Sequence, residues 1–169
     1  LYRIRAVKEM PKRGVKIGDM GGWVESESNL SQDGNAWVGG NAMVYGNARV
    51  SGEALVSGEA MVYEEADIYG EAKVFGNAKV CEDAWVYGNA RVCGEAKIFG
   101  NAKLFDESFV YGNAEVSEYA RVCGEAMVFG EAMVFGDAKI SGEAEICGDA
   151  LIQSNASYMF SYTSCSNTQ

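Results

Sequence analysis

The sequence predicts an all-β fold built as a solenoid of short parallel strands, and three observations carry that expectation. First, an alanine falls on every sixth residue from Ala36 to Ala156, with Ser108 the one replacement, and Val, Ile or Leu follows two positions later from Val38 to Ile152. Twenty hexads, residues 34–153, thus run without an insertion. Second, Ala-x-Val alternates as a strand does, so Ala and Val share one side and the residue between them takes the other. Third, the chain holds 21 Gly and one Pro, a pairing foreign to irregular loops, which use both residues. The glycines therefore perform one repeated task.

Taken in order, residues 1–33 precede the first hexad and are expected to form an N-terminal cap that closes the end of the core, with Trp23 and Leu30 as plugs. Within residues 34–153 each hexad makes one flat side and one corner. Glycine supplies the bend, and the Asn, Asp or Glu beside it meets water. A strand of this length cannot stand alone, so successive sides must stack, with coils paired about 4.8 Å apart. Residues 154–169, SNASYMFSYTSCSNTQ, lose the pattern and are expected to be a tail or the start of a further domain.

The string VYGNAR resembles the hexapeptide repeat of left-handed parallel β-helices, in which three hexads close one triangular coil of 18 residues. The resemblance covers 34–153 and implies a single-stranded left-handed solenoid of nearly seven coils, about 30 Å long at 4.8 Å per coil. The segments YRIRAV and GDMGGWVESESNLSQDGNAWV are similar to the N-terminus of bacterial and prophage repeat proteins that carry transferase labels on fold alone.

Composition removes several function classes. A net charge of −10 argues against direct nucleic-acid binding, which needs clustered Lys and Arg. No run of 18 apolar residues and no apolar leader occur, so neither a membrane span nor a signal peptide is expected, and a cytoplasmic location in a bacterial host is the simplest reading. The odd set Cys81, Cys93, Cys123, Cys147 and Cys165 has no CxxC spacing and reads as reduced small hydrophobes, without disulfides between coils. The chain has no histidine. That excludes both the histidine base of acyltransferases and the three-histidine zinc site of carbonic anhydrases, which the resemblance would otherwise suggest. No catalytic residue, cofactor or metal ligand is expected.

Candidate positions lie where the repeat breaks. Four corners lack Gly: Glu64-Glu65, Glu82-Asp83, Asp106-Glu107 and Glu118-Tyr119. With an 18-residue coil the first, second and fourth share one column, so Glu64, Glu65, Asp67, Glu82, Asp83 and Glu118 form an acidic ridge suited to a basic partner. The basic residues of the hexads all sit between Ala and Val, and Lys103, Arg121 and Lys139 stack on one side. Tyr69, Tyr87 and Phe105 should stack as a bracing ladder. Met127, Phe129, Met133 and Phe135 should face outward around one corner as an apolar patch for a second copy or a partner protein. Ser108, set among altered corners in 104–122, marks the other irregularity.

These features favour a non-catalytic acidic rod that binds a protein partner, with a phage or prophage inhibitor of a host nucleic-acid-binding defence protein as its specific form. An acyltransferase-like enzyme lacking the usual histidine and a structural virion or filament component are the alternatives.

Overall fold

In the computed structural model the described residues are 1–153, together with the backbone of the strands Ser157–Tyr158 and Thr163–Ser164. They form a β-solenoid of about seven turns with about 18 residues in each. Three sheets make its three faces, because each side pairs in parallel with the side one coil on, and the strand Tyr2–Arg5 adds an antiparallel edge to the first at the cap. The first face carries Met20–Val24, Met43–Val44, Met61–Val62 and their successors to Leu151–Gln153. The second runs from Leu30–Gly34 through Arg49–Gly52 and Lys103–Leu104 to Ser157–Tyr158. The third runs from Trp37–Val38 to Thr163–Ser164.

Register between coils holds at 18 residues, as in Lys73 opposite Arg91 and Val74 opposite Val92. Backbone bonds such as Leu55 N–H to the Ala72 carbonyl, 2.9 Å, run up the stack. The alanines and the β-branched residues of the hexads are wholly removed from water along most of the rod. Alanine at the corner and valine mid-side fill a narrow triangular interior, where a larger residue at both places would overpack. The ring ladder forms as expected: Tyr69 stacks on Tyr87 at 4.8 Å and Tyr87 on Phe105 at 5.2 Å.

The cap differs in detail from expectation. Met20–Val24 and Leu30–Gly34 already pair with the next coil, so the solenoid begins before the first hexad. Leu30 and Val24 do enter the core. Trp23 does not plug it: strand alternation sends Val24 inward and turns Trp23 outward, where the Arg3 guanidinium lies 5.7 Å above its ring. Trp37 is the aromatic residue that the cap covers, packed with Ala6 and Met10. Buried Asn29 completes the closure, since its amide donates to the Gly46 and Ala48 carbonyls at 2.9 Å while its oxygen accepts from the Ser26 amide at 2.8 Å. Its two donors and one acceptor satisfy backbone groups that the first coil leaves open.

Strand pairing continues past the hexads, with Ser157 opposite Lys139 and Thr163 opposite Glu145, although the rest of 154–169 lies outside the described residues. The expectation of reduced cysteines throughout is corrected: Cys81, Cys93 and Cys123 are free thiols, but Cys147 is disulfide-bonded.

Candidate functional site

The corner that leads into the second face holds the acidic ridge, and its geometry starts from the backbone. At the bend of each corner the residue has positive φ, between 63° and 76° for the glycines from Gly40 to Gly148. Glu64, Glu82, Asp106 and Glu118 adopt the same left-handed conformation, with φ of 61°, 58°, 59° and 58°. Such a conformation costs a residue with a Cβ about 1–2 kcal/mol.

The carboxylates offset that cost. Glu64 Oε2 accepts from the Glu82 amide at 2.9 Å, Glu82 Oε2 from Gly100 at 2.9 Å, Asp106 Oδ2 from Gly124 at 3.1 Å, and Glu118 Oε2 from Gly136 at 3.0 Å. In every case the acceptor reaches the amide one coil ahead. An anionic acceptor forms a stronger bond than a neutral one, so the acids at these corners tie coil to coil. Glu25 does the same for Gly46 from the cap, at 2.6 Å.

This assigns a structural task to three members of the ridge. Glu64, Glu65, Glu82 and Asp83 lie on adjacent coils of one corner, with Asp67 on the face beside them. Glu118 belongs to the same column but stands two coils beyond Glu82, about 10 Å away by strand spacing. Glu65 accepts from the Asn47 side-chain amide at 2.6 Å. Partial burial raises the Asp67 carboxyl above the usual range, Arg49 opposes that shift, and Glu65 adds to it.

Beside this corner Cys81 comes within 4.8 Å of the Glu64 and Glu82 carboxylates. Burial pushes the Cys81 thiol up, a hydrogen bond from Tyr63 opposes this, and Glu64 and Glu82 push it further. The bond to Cys81, then burial, raises the Tyr63 hydroxyl. Backbone amides already hold one oxygen of each carboxylate, which leaves the second oxygen of each and the sulfur as the groups a cation could use.

Glu82 permits a direct test of the corner. Glutamine keeps an acceptor for the Gly100 amide, glycine removes both bond and strain, and alanine keeps the strain while losing the bond. Glu82→Ala should therefore be the least stable of the three, by about 1–2 kcal/mol relative to Glu82→Gly. Guanidinium denaturation of the three variants checks the order.

Sequence reading missed a second acidic edge, on the corner leading into the third face. Glu53, Glu71, Glu107, Glu125 and Glu143 share the position after the bend, and all but Glu53 are exposed. Glu53 accepts from Asn35 at 2.8 Å. Counting by 18 along the second residue of each corner would have found this column, whereas attention to corners without Gly did not. Lys73 and Arg91 run beside it in a shallow groove that includes Glu71 and Glu107.

The apolar patch divides between two faces. Met127 lies opposite Phe109 on the third face, and Phe129 stacks on Tyr111 at 4.8 Å. Met133 lies opposite Glu115 and Leu151 on the first face, with Phe135 half-buried beside it. Met133 is the most open of the four, 41% exposed. Ser108 faces the interior, fully buried, so the irregularity at 104–122 places no polar side chain from that position on the surface.

Under the cap a cavity of about 210 Å³ is lined mainly by apolar groups, among them Ile4, Met10, Val24, Leu30 and Trp37. No helix among the described residues is long and apolar enough to cross a membrane.

The family model described as YdcK Beta solenoid repeat matches residues 36–52 and 42–58, in support of a β-solenoid repeat family. No curated protein matches the chain.

Proposed function

We propose that the chain is a non-catalytic, acidic β-solenoid rod that binds a basic macromolecular partner through its carboxylate corners. The observation that carries this reading is uncompensated charge on a rigid frame. The hexads hold nineteen acidic and eight basic residues, yet Lys97–Glu115, at 2.7 Å, is the only salt bridge among the described residues. The surplus is fixed at one-coil spacing by backbone pairing.

Charge density gives the reading its specific form. The net −11 of residues 34–153 lies along about 30 Å, roughly one negative charge per 3 Å, against one per about 1.7 Å of duplex DNA. A rod of that kind suits a phage or prophage protein that occupies the phosphate-binding surface of a host defence protein in the bacterial cytoplasm.

The test uses a partner captured from a bacterial host and two sets of neutralising substitutions. One set changes Glu64, Glu65, Glu82 and Glu118 to Gln and Asp83 to Asn; the other changes Glu71, Glu107, Glu125 and Glu143 to Gln. Because amide side chains retain an acceptor, both sets should keep the native circular dichroism. The first set should abolish binding in isothermal titration, and the second shows whether the edge beside the third face contributes. Affinity unchanged in both would overturn the reading.

A further inference from the structure

The first face carries a pattern that the acidic corners do not use. Its outward column, in pairing order, is Trp23, Met43, Met61, Lys79, Lys97, Glu115, Met133 and Leu151. Five of these eight are apolar on a surface that faces water, with Met133 41% and Leu151 64% exposed. Leu1, Trp23, Met43 and Met61 also line one open groove.

The column is self-complementary about Lys97. One coil away, Lys79 on one side answers Glu115 on the other. Two coils away Met61 answers Met133, and three coils away Met43 answers Leu151. The neighbouring column repeats the match over the middle coils, with Cys81 opposite Ser117, Tyr63 opposite Phe135 and Phe99 opposite itself, and ends with Tyr45 opposite Gln153.

We infer that the first face is a homodimer interface in which two rods pack antiparallel, related by a two-fold axis that lies between the faces, runs along the strands and passes at the level of Lys97. A face can meet its own reversed copy only when its pattern is self-complementary, as an isologous contact requires. Here reversal sets opposite charges against each other at Lys79 and Glu115 and methionine against methionine or leucine at the ends. Lys97 faces its own copy, and each Lys97 is neutralised by its own Glu115 at 2.7 Å. The rim sets Glu59 near Glu131 and Glu95 near its own copy, all exposed, where water and salt screen them. The second face cannot behave this way, since Lys103, Arg121 and Lys139 are three consecutive cations in a column whose one acid is Asp67.

The inference stands apart from the proposed binding of a basic partner, which uses the corners. Sedimentation equilibrium of the full chain over a concentration series should show a dimer. Met133→Glu should weaken association about a hundredfold, tenfold at each of two symmetry-related contacts, with circular dichroism unchanged because the side chain points outward. Leu151→Glu serves as the second variant should the first fail to fold. Lys97→Cys fixes the orientation: under oxidation it should link two copies beyond the wild-type level, whereas Met61→Cys alone should not, and Met61→Cys mixed with Met133→Cys should. A chain that stays monomeric throughout the series, a dimer insensitive to both glutamate variants, or one linked by Met61→Cys alone but not by Lys97→Cys would overturn the inference.

Discussion

Replacing Gly100 with alanine is expected to destabilise the rod by about 2–5 kcal/mol, from left-handed strain together with a steric contact. Gly100 has φ of 68°, and a Cβ there would lie 2.6 Å from the Glu118 amide nitrogen and 2.9 Å from its Cα. Those atoms belong to the next coil's backbone, so relief requires two coils to separate. Gly14 separates the two causes. It has the same φ of 68° with nothing within 4 Å of the added atom, and Gly14→Ala should cost only about 1–2 kcal/mol. Equal losses in guanidinium denaturation would mean that coil contact contributes nothing.

Changing Ser108 to alanine should act in the opposite sense, stabilising the rod by about 1–3 kcal/mol, the penalty of a buried polar group without a partner. Ser108 is completely buried, and its Oγ has no hydrogen-bond partner in the structure. Every other hexad places alanine there, so the interior already accepts a methyl group of that size. Stability in a solenoid is close to a sum of coil and interface contributions. The gain should therefore appear as slower hydrogen exchange in the coils around Arg91 and Ala126, whose backbone groups pair with Ser108 and Phe109. Unaltered exchange there would show that the hydroxyl is accommodated without cost.

Much of the fold was legible because each letter of the hexad has one physical task. Period, inward Ala and Val, bends and ring ladder follow from alternation and glycine chemistry, and they recur in the structure. The cap was less legible. Trp23 looks like a plug by size, but its place in a strand turns it outward, and Asn29, a polar residue, helps seal the coil's end instead. The cysteines were less legible as well, because the disulfide at Cys147 depends on which residues the fold brings together and leaves no CxxC spacing in the chain.

The candidate site shows the same division. Sequence located Glu64, Glu82 and Glu118 as exceptions in one column but read them only as surface charge. Structure shows that their carboxylates bond the amide one coil ahead, and that Asp106 does so at a different corner. Glu65, half-buried Asp67 and Asp83 are free of that task, and the exposed carboxylates from Glu71 to Glu143 form a further edge.

By itself the sequence determined the period, the inward and outward positions and the surplus of negative charge, because those depend on residue type and on alternation along one strand. Only the tertiary structure decided which corner acids stabilise the stack and which remain open. It also decided how Lys79, Lys97 and Glu115 line up on the first face between methionine-rich ends. Stacking brings residues 18 apart in the chain into contact, and a contact between coils is fixed by register and backbone conformation rather than by the local pattern of the hexad.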